Sequence, residues 1–273
     1  MNGVRYIIRH AAQTHVPKCS NETCSARSWQ LWVRRGNGIR VNSNWYCSEQ
    51  CAGAAIDALL ASVPRFGADH PPTVHRLPLG LLMLSRGVID EEQLKAAVMA
   101  QVQHPELKIG RCLETLGAVT TDEVTRALGA QHCVPVLLAF RPEVDHSLPL
   151  RLLESSRCVA FRGNYHPELL YLGFESKVDR SLLRAGELML GCACEACIVD
   201  SRIVEQHLQT RREARRVDEI TFDARFSTAE IAQSISSYAQ QVRADEVRIA
   251  STRDYLWAKV SGAREVDLLF RRQ

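Results

Sequence analysis

The sequence has no phosphate-cradling loop. No Gly-x4-Gly-Lys-Ser/Thr occurs, and no glycine is followed by lysine, which excludes the P-loop route to nucleotide hydrolysis. No apolar run approaches the roughly 18 residues a membrane helix needs, so membrane insertion is not expected. Charge of one sign is also scarce. Thirty-four Lys and Arg against 31 Asp and Glu leave a net charge of +3, too little by itself to point to nucleic acid or a membrane surface. The start, Met1 to His10, lacks the long uncharged core of an export signal. Without one, the ten cysteines read as reduced thiols or metal ligands, not as a disulfide framework. The expected compartment is the cytoplasm. Local sequence assembles no nucleophile, base and orienting partner, and the chain is expected not to be an enzyme.

What is present is a chain of 273 residues with 46% hydrophobic and 24% charged residues, enough for two or three small globular domains. Residues 1–61 hold four cysteines and three of the four tryptophans, and end in an Ala-rich helix. Pro64, Gly67, Pro71, Pro72 and Pro78 mark 62–78 as a linker. Helical repeats fill 79–131. An α/β part follows over 132–216, with strands at Val136–Phe140, Val159–Phe161, Leu169–Gly173 and Ala193–Val199, and helices at Pro149–Ser155, Asp179–Leu190 and Ser201–Arg216. A small unit over 217–273 opens with a helix from Ser227 to Val242. Strands then follow at Glu246–Ala250, Tyr255–Val260 and Glu265–Phe270, whose alternation predicts a half-buried sheet. The fold class is α+β: a small zinc finger, a four-helix repeat bundle with an α/β subdomain, and a small carboxy-terminal α+β unit.

Cys19-x4-Cys24 and Cys47-x3-Cys51 form two pairs. Gly36-Asn37-Gly38 is a hairpin signal joining Trp29–Arg35 to Ile39–Asn44, and Cys51 falls in the first turn of the Ala-rich helix. Four thiolates match the tetrahedral demand of Zn2+ and leave no open position, so a structural zinc is expected. Trp45-Tyr46-Cys47-Ser48-Glu49-Gln50-Cys51 resembles the second half-site of treble-clef fingers, although the first pair departs from Cys-x2-Cys. His10 and His15 read as bystanders. Trp29, Trp32 and Trp45 read as core around the metal rather than as a nucleic-acid platform. Strand alternation separates Cys197 from Cys192 and Cys194, which argues against a second metal site. Cys112, Cys133 and Cys158 read as packing residues.

A run of about 24 residues occurs twice, thirty positions apart, the signature of one unit packed against itself. Gly80 pairs with Gly110, Gly87 with Gly117, Leu94 with Val124, Val98 with Leu128 and Gln101 with Gln131. In each copy a short apolar helix ends at the second glycine, suited to a left-handed cap. A capping box then opens a second helix: Asp90 with Gln93, Thr120 with Glu123.

With Gln131-His132-Cys133-Val134-Pro135-Val136 after it, this repeat resembles the amino-terminal domain of type II secretion and type IV pilus assembly ATPases. The resemblance covers roughly half the chain. The unit from about Ser227, with Asp245-Glu246-Val247-Arg248-Ile249, resembles more weakly the small domain that follows in those ATPases. Some members bind cyclic di-GMP. The resemblance places that ligand on Leu79, Gly80, Leu94 and Gln101 of the first copy and on Lys108, Ile109, Gly110, Val124 and Gln131 of the second. The family's leading Arg is Pro78 in the first copy, with Arg76 two residues earlier, and Lys108 in the second; lysine meets phosphate as a point charge, without arginine's planar fork. The resemblance implies a non-catalytic adaptor or sensor partnered by secretion- or pilus-type machinery. The alternative is a zinc-finger interaction protein, a nucleic-acid binder among them, using the bundle as scaffold; of the two readings the first is preferred, and nucleic acid is not the expected partner.

Overall fold

The computed structural model describes residues 18–36, 38–62, 76–138, 145–163, 166–214, 218–224 and 226–272. Most of the linker, His10 and His15 fall outside them. Helix α1 (Ser28–Val33) and a 3-10 turn precede a hairpin of β1 (Ile39–Val41) and β2 (Asn44–Tyr46), and helix α2 (Glu49–Ser62) follows. The hairpin is not the one expected. Its turn is Asn42-Ser43, both at positive φ (44° and 72°), the twist a two-residue connection needs. The stretch expected as its first strand is helical.

The repeat forms α3 (Leu79–Ser85), α4 (Glu91–Gln103), α5 (Ile109–Thr115) and α6 (Thr121–His132). Its local code is used identically twice. Gly87 and Gly117 take φ of +67° and +66°, and the following amides, Val88 and Ala118, return to the Met83 and Leu113 carbonyls at 3.0 Å, closing both helix ends. Both capping boxes form.

The α/β part comprises β3 (Val136–Leu137), α7 (Leu150–Ser156), β4 (Cys158–Arg162), β5 (Leu170–Phe174), α8 (Arg180–Leu190), β6 (Cys194–Val199) and α9 (Ser201–Glu213). Its four-stranded sheet runs β3-β6-β5-β4, parallel except for β4 against β5. Then come β7 (Glu219–Phe222), α10 (Thr228–Gln241), β8 (Glu246–Ser251), β9 (Tyr255–Ser261) and β10 (Glu265–Arg271). Strand β7 had no sequence signal; it is held by parallel pairing to β10.

The two terminal units, separate in the sequence reading, share one sheet and one core. The order is β2-β1-β8-β9-β10-β7, with β1 parallel to β8. Ile39, Val41, Ile56 and Leu60 of the cysteine unit are buried with Ile235, Val247, Leu256 and Phe270. The expectation of a half-buried sheet is corrected at β9 and β10. Leu256, Ala258 and Val260 face the core shared with α2 and α10, whereas Tyr255, Trp257 and Leu269 join the core of the α/β part. Trp257 is fully buried and donates its indole N–H to Asp267 at 2.8 Å, so that face carries a polar anchor inside an apolar layer. Among the described residues no helix is long and apolar enough to cross a membrane.

The repeat copies differ in what covers them. On α6, Thr125, Gly129 and His132 are buried, and Leu128 packs against the α/β core. A Cβ at Gly129 would stand 2.1 Å from Val136 Cγ2, so only glycine lets helix and strand meet this closely. The equivalent α4 residues, Val98, Met99 and Val102, are 46%, 57% and 70% exposed. Gly129→Val should therefore cost about 1–3 kcal/mol by overpacking, whereas Val102→Glu should stay within about 0.5 kcal/mol of the parent. Urea denaturation of the two variants checks the contrast, and equal costs would contradict the asymmetry.

Candidate functional site: a four-cysteine cluster and the paired repeat

The sulfurs of Cys19, Cys24, Cys47 and Cys51 all lie within 4.8 Å of one another, the one such group of potential metal ligands among the described residues. Local structure explains how they meet. Asn21 closes a turn by accepting from the Thr23 amide at 3.0 Å, and the Cys24 amide bonds the Asn21 carbonyl at 3.1 Å; this turn absorbs the long Cys19-x4-Cys24 spacing. The Ser20 amide donates to the Trp45 carbonyl at 2.9 Å, tying that loop to β2. Ser48 accepts from the Cys51 amide at 3.3 Å, at the start of α2. Cys19 and Cys24 thus arrive on one loop tied to β2, and Cys51 on the first turn of α2.

Cys24 and Cys47 sulfurs are 3.6 Å apart. A tetrahedral metal with bonds of about 2.3 Å sets its sulfurs about 3.8 Å apart, so the spacing fits a shared ion. No disulfide joins them. As thiols they resist ionising together. Burial pushes Cys19 up despite backbone bonds to Cys47 and Asn21. The Ala26 backbone favours a Cys24 thiolate, but burial and the surrounding thiols outweigh it and push Cys24 up to about 12. Cys51 is pulled down, burial opposing and the Ser48 and Asn21 contacts prevailing. Arg34 donates to Cys47 Sγ at 3.8 Å, a contact that no spacing in the sequence announces. Four thiolates this close need a cation, and one guanidinium is not enough. The arrangement can hold one closed, structural metal ion.

The tryptophans only partly follow the core reading: Trp45 packs against this cluster, but Trp29 is 61% exposed, and the Trp32 side chain lies outside the description. Cys197 is buried beside the Leu172 carbonyl, with Cys192 and Cys194 only half-buried. Cys112 and Cys158 are buried, but Cys133 is exposed at the left-handed end of α6 (φ 55°), where the helix stops before β3; it caps rather than packs.

The repeat brings eight of its nine candidate residues into two reciprocal sets. A Cβ at Gly80 would stand 2.6 Å from Leu94 Cδ1 and 3.6 Å from Ile109 Cγ1. One at Gly110 would stand 2.9 Å from Val124 Cγ1 and 3.4 Å from Leu79 Cδ2. Each glycine is thus roofed by an apolar residue of its own copy and touched by one from the other. The glutamines are exchanged as well. Gln101 Nε2 donates to the Leu107 carbonyl at 2.9 Å, and Gln131 Nε2 to the Leu77 carbonyl at 2.7 Å. Positions 77 and 107 are equivalent, so each copy's last helix holds the chain leading into the other copy's first. Lys108, the ninth, points away to Ser176 Oγ at 2.7 Å. Arg76 reaches His132 Nδ1 at 2.6 Å.

No protein-family model matches the sequence, and no curated protein matches it. Among solved structures, one of MshE with cdg is similar, at 20% identity and a TM-score of 0.40, over 50% of this chain and 99% of that chain.

Gln131→Ala and Gln101→Ala should each cost about 1 kcal/mol, the usual net value of a lost hydrogen bond. Because the bonds are related by the repeat, the two losses should be similar in thermal denaturation; a neutral outcome at both would show that neither bond contributes.

Proposed function

We propose that this chain is a non-catalytic adaptor or sensor, built on a structural zinc and a paired repeat that receives cyclic di-GMP. The observation that carries the reading is the exchange of Gln101 and Gln131 between the copies. The resemblance assigns ligand contacts to these glutamines, and here they also fix the two copies to each other. An amide that gives its N–H to the backbone still offers its oxygen as acceptor. A ligand that engages either glutamine would therefore act on the chain leading into the opposite copy. The lack of a phosphate loop in the sequence supports a role without hydrolysis. Exposed Val98, Met99 and Val102 on α4 support a protein partner: the matching face of α6 is covered by this chain's own Val134-Pro135-Val136, and α4 leaves the same kind of surface open.

The zinc reading rests on the donor set. Four sulfurs at this spacing favour a soft tetrahedral ion over hard, oxygen-seeking cations. When bound, zinc would hold the sulfurs as thiolates and supply no chemistry, since no coordination position is open to substrate. Metal analysis should return one zinc per chain. A chelator should unfold the cysteine unit, because binding energies of such sites are on the order of 10 kcal/mol. Well under one zinc per chain in protein purified without chelator would defeat the assignment.

Calorimetric titration with cyclic di-GMP tests the ligand. Lys108→Ala should weaken binding by about 1–3 kcal/mol, as for other charged hydrogen bonds, and Lys108→Arg should tighten it by restoring the fork. ATP turnover should match background. An absence of heat with the parent protein would remove cyclic di-GMP from the proposal, and hydrolysis surviving rigorous purification would overturn the non-catalytic assignment.

A further inference from the structure

The four clustered cysteines are not equivalent. Cys19, Cys47 and Cys51 are buried, and Cys24 is the half-buried member of the set. It sits on the turn that Asn21 closes, between exposed Thr23 and Ser25. Its sulfur lies 3.6 Å from that of Cys47, a short movement from a disulfide bond of about 2.0 Å. Cys51 is held differently, in the first turn of α2 with its amide bonded to Ser48. Arg34 adds to the contrast by donating to Cys47 Sγ at 3.8 Å. A cation that stabilises a thiolate also lowers its intrinsic nucleophilicity, so the more accessible Cys24 is the sulfur that meets a reagent first.

Cysteines that respond to oxidants are accessible thiolates with a second thiol close by. A bound zinc would hold Cys24 as the thiolate, and Cys47 is the second sulfur. The remaining cysteines do not combine these features. Cys133 is exposed, with its sulfur donating to the Ala130 carbonyl at 3.7 Å. Cys112, Cys158 and Cys197 are buried. Cys192 and Cys194 are half-buried, and the Cys194 sulfur is turned to the Cys192 carbonyl at 3.8 Å.

We propose that Cys24 and Cys47 are an oxidant-sensing pair, which a peroxide joins in a disulfide with expulsion of the bound metal. The Cys24 thiolate attacks one oxygen of hydrogen peroxide; the O–O bond breaks, Cys24 becomes a sulfenic acid and hydroxide leaves. The Cys47 thiolate then attacks the Cys24 sulfur, the S–O bond breaks and a second hydroxide leaves. The two sulfurs give up two electrons and the peroxide takes both, ending as two waters once solvent supplies two protons. Cys19 and Cys51 are then half the ligand set that zinc needs. The disulfide keeps the 19–24 loop on the end of β2, whereas α2 loses the link that Cys51 gave it through the metal. Because α2 buries Ala52, Ile56 and Leu60 in the core shared with α10, the loss reaches the terminal sheet as reduced stability. Metal release rests on the zinc reading; the disulfide rests on the placement of the two sulfurs alone.

The test uses the full chain as purified, with no substitution that could unfold the cysteine unit. Hydrogen peroxide is added in modest excess at neutral pH and zinc is followed with a chromogenic chelator. Samples taken over time have their free thiols alkylated. Glu22 separates Cys19 from Cys24, and Glu49 separates Cys47 from Cys51, so cleavage after Lys, Arg and Glu distinguishes by mass every pairing among the four. The expected result is a dominant Cys24–Cys47 peptide, formed at least about tenfold faster than Cys133 is oxidised, because a metal-held thiolate is already charged. One zinc should leave per disulfide, and dithiothreitol with added zinc should restore the starting thermal transition. Fast Cys24–Cys47 formation in a chain that carries no zinc supports the pair and ends the zinc reading. Zinc bound and retained while Cys133 oxidises overturns the pair and leaves the zinc reading intact. Zinc release with Cys19–Cys51, Cys192–Cys194 or scrambled pairs in its place also overturns the pair. Neither zinc nor disulfide overturns both.

Discussion

The pairing of β1 with β8 is the contact on which the architecture turns, because it brings residues about two hundred positions apart into one ladder. The Arg40 and Asn42 amides donate to the Asp245 and Val247 carbonyls at 2.8 and 3.0 Å. At Asn42 the backbone leaves the strand for the hairpin turn, and its side chain continues the ladder instead, donating to the Ile249 carbonyl at 3.2 Å and accepting from the Ile249 amide at 2.8 Å. An edge that would expose unpaired groups is thereby finished by one residue. Closing so long a loop carries an entropic cost that grows only slowly with length, and the buried apolar set shared by α2, α10 and the sheet offsets it. The cysteine cluster contributes from the other side. By fixing Cys19 and Cys24 against Cys47 and Cys51, a metal would make the short hairpin a rigid piece before it docks. A hairpin of three-residue strands has little stability alone.

What could be read from the sequence is what is decided within a few residues. Asp90, Thr120, Gly87 and Gly117 act through bonds that span at most five residues, so the repeat was legible in detail. The helices and strands of the α/β part were found for the same reason. The Gly36-Asn37-Gly38 signal misled because turn chemistry is only a permission: the chain took the turn one step later, at Asn42-Ser43, where β1 could also reach β8. Strand β7 and the burial of both faces of β9 were invisible because both depend on partners distant in sequence. Of the site, the four cysteines were named by spacing, but Arg34 was not, since a cation over a sulfur leaves no periodic trace. The repeat residues were named as ligand positions, and the unexpected part is that most of them are engaged with one another.

The two repeat copies show how identical local instructions acquire different meanings. Both build the same helical hairpin, and neither buries its apolar residues alone. Their mutual contact, glycine against apolar residue and glutamine against carbonyl, satisfies one side of each. The outer side of the second copy is then taken by β3 and β6, at the price of a glycine at 129, while the first copy keeps Met99 at that position and remains open. Sequence divergence between the copies therefore follows their surroundings, with the helix-forming positions left alike.

Helix α8 is the element through which the parts of the molecule meet. Its first turn is capped by Asp179, which accepts from the Ser181 and Leu182 amides, and near its other end the Met189 carbonyl accepts from Arg248 of β8 at 2.8 Å. Arg248 is in turn paired with Glu246, on the strand that receives β1. Eleven residues of helix span about 16 Å, and the side facing the core carries Leu182, Ala185 and Met189, all buried. A helix so packed moves as a body rather than bending. Any displacement of α8 would therefore be shared with the terminal sheet, through the Arg248 guanidinium that holds its last turn.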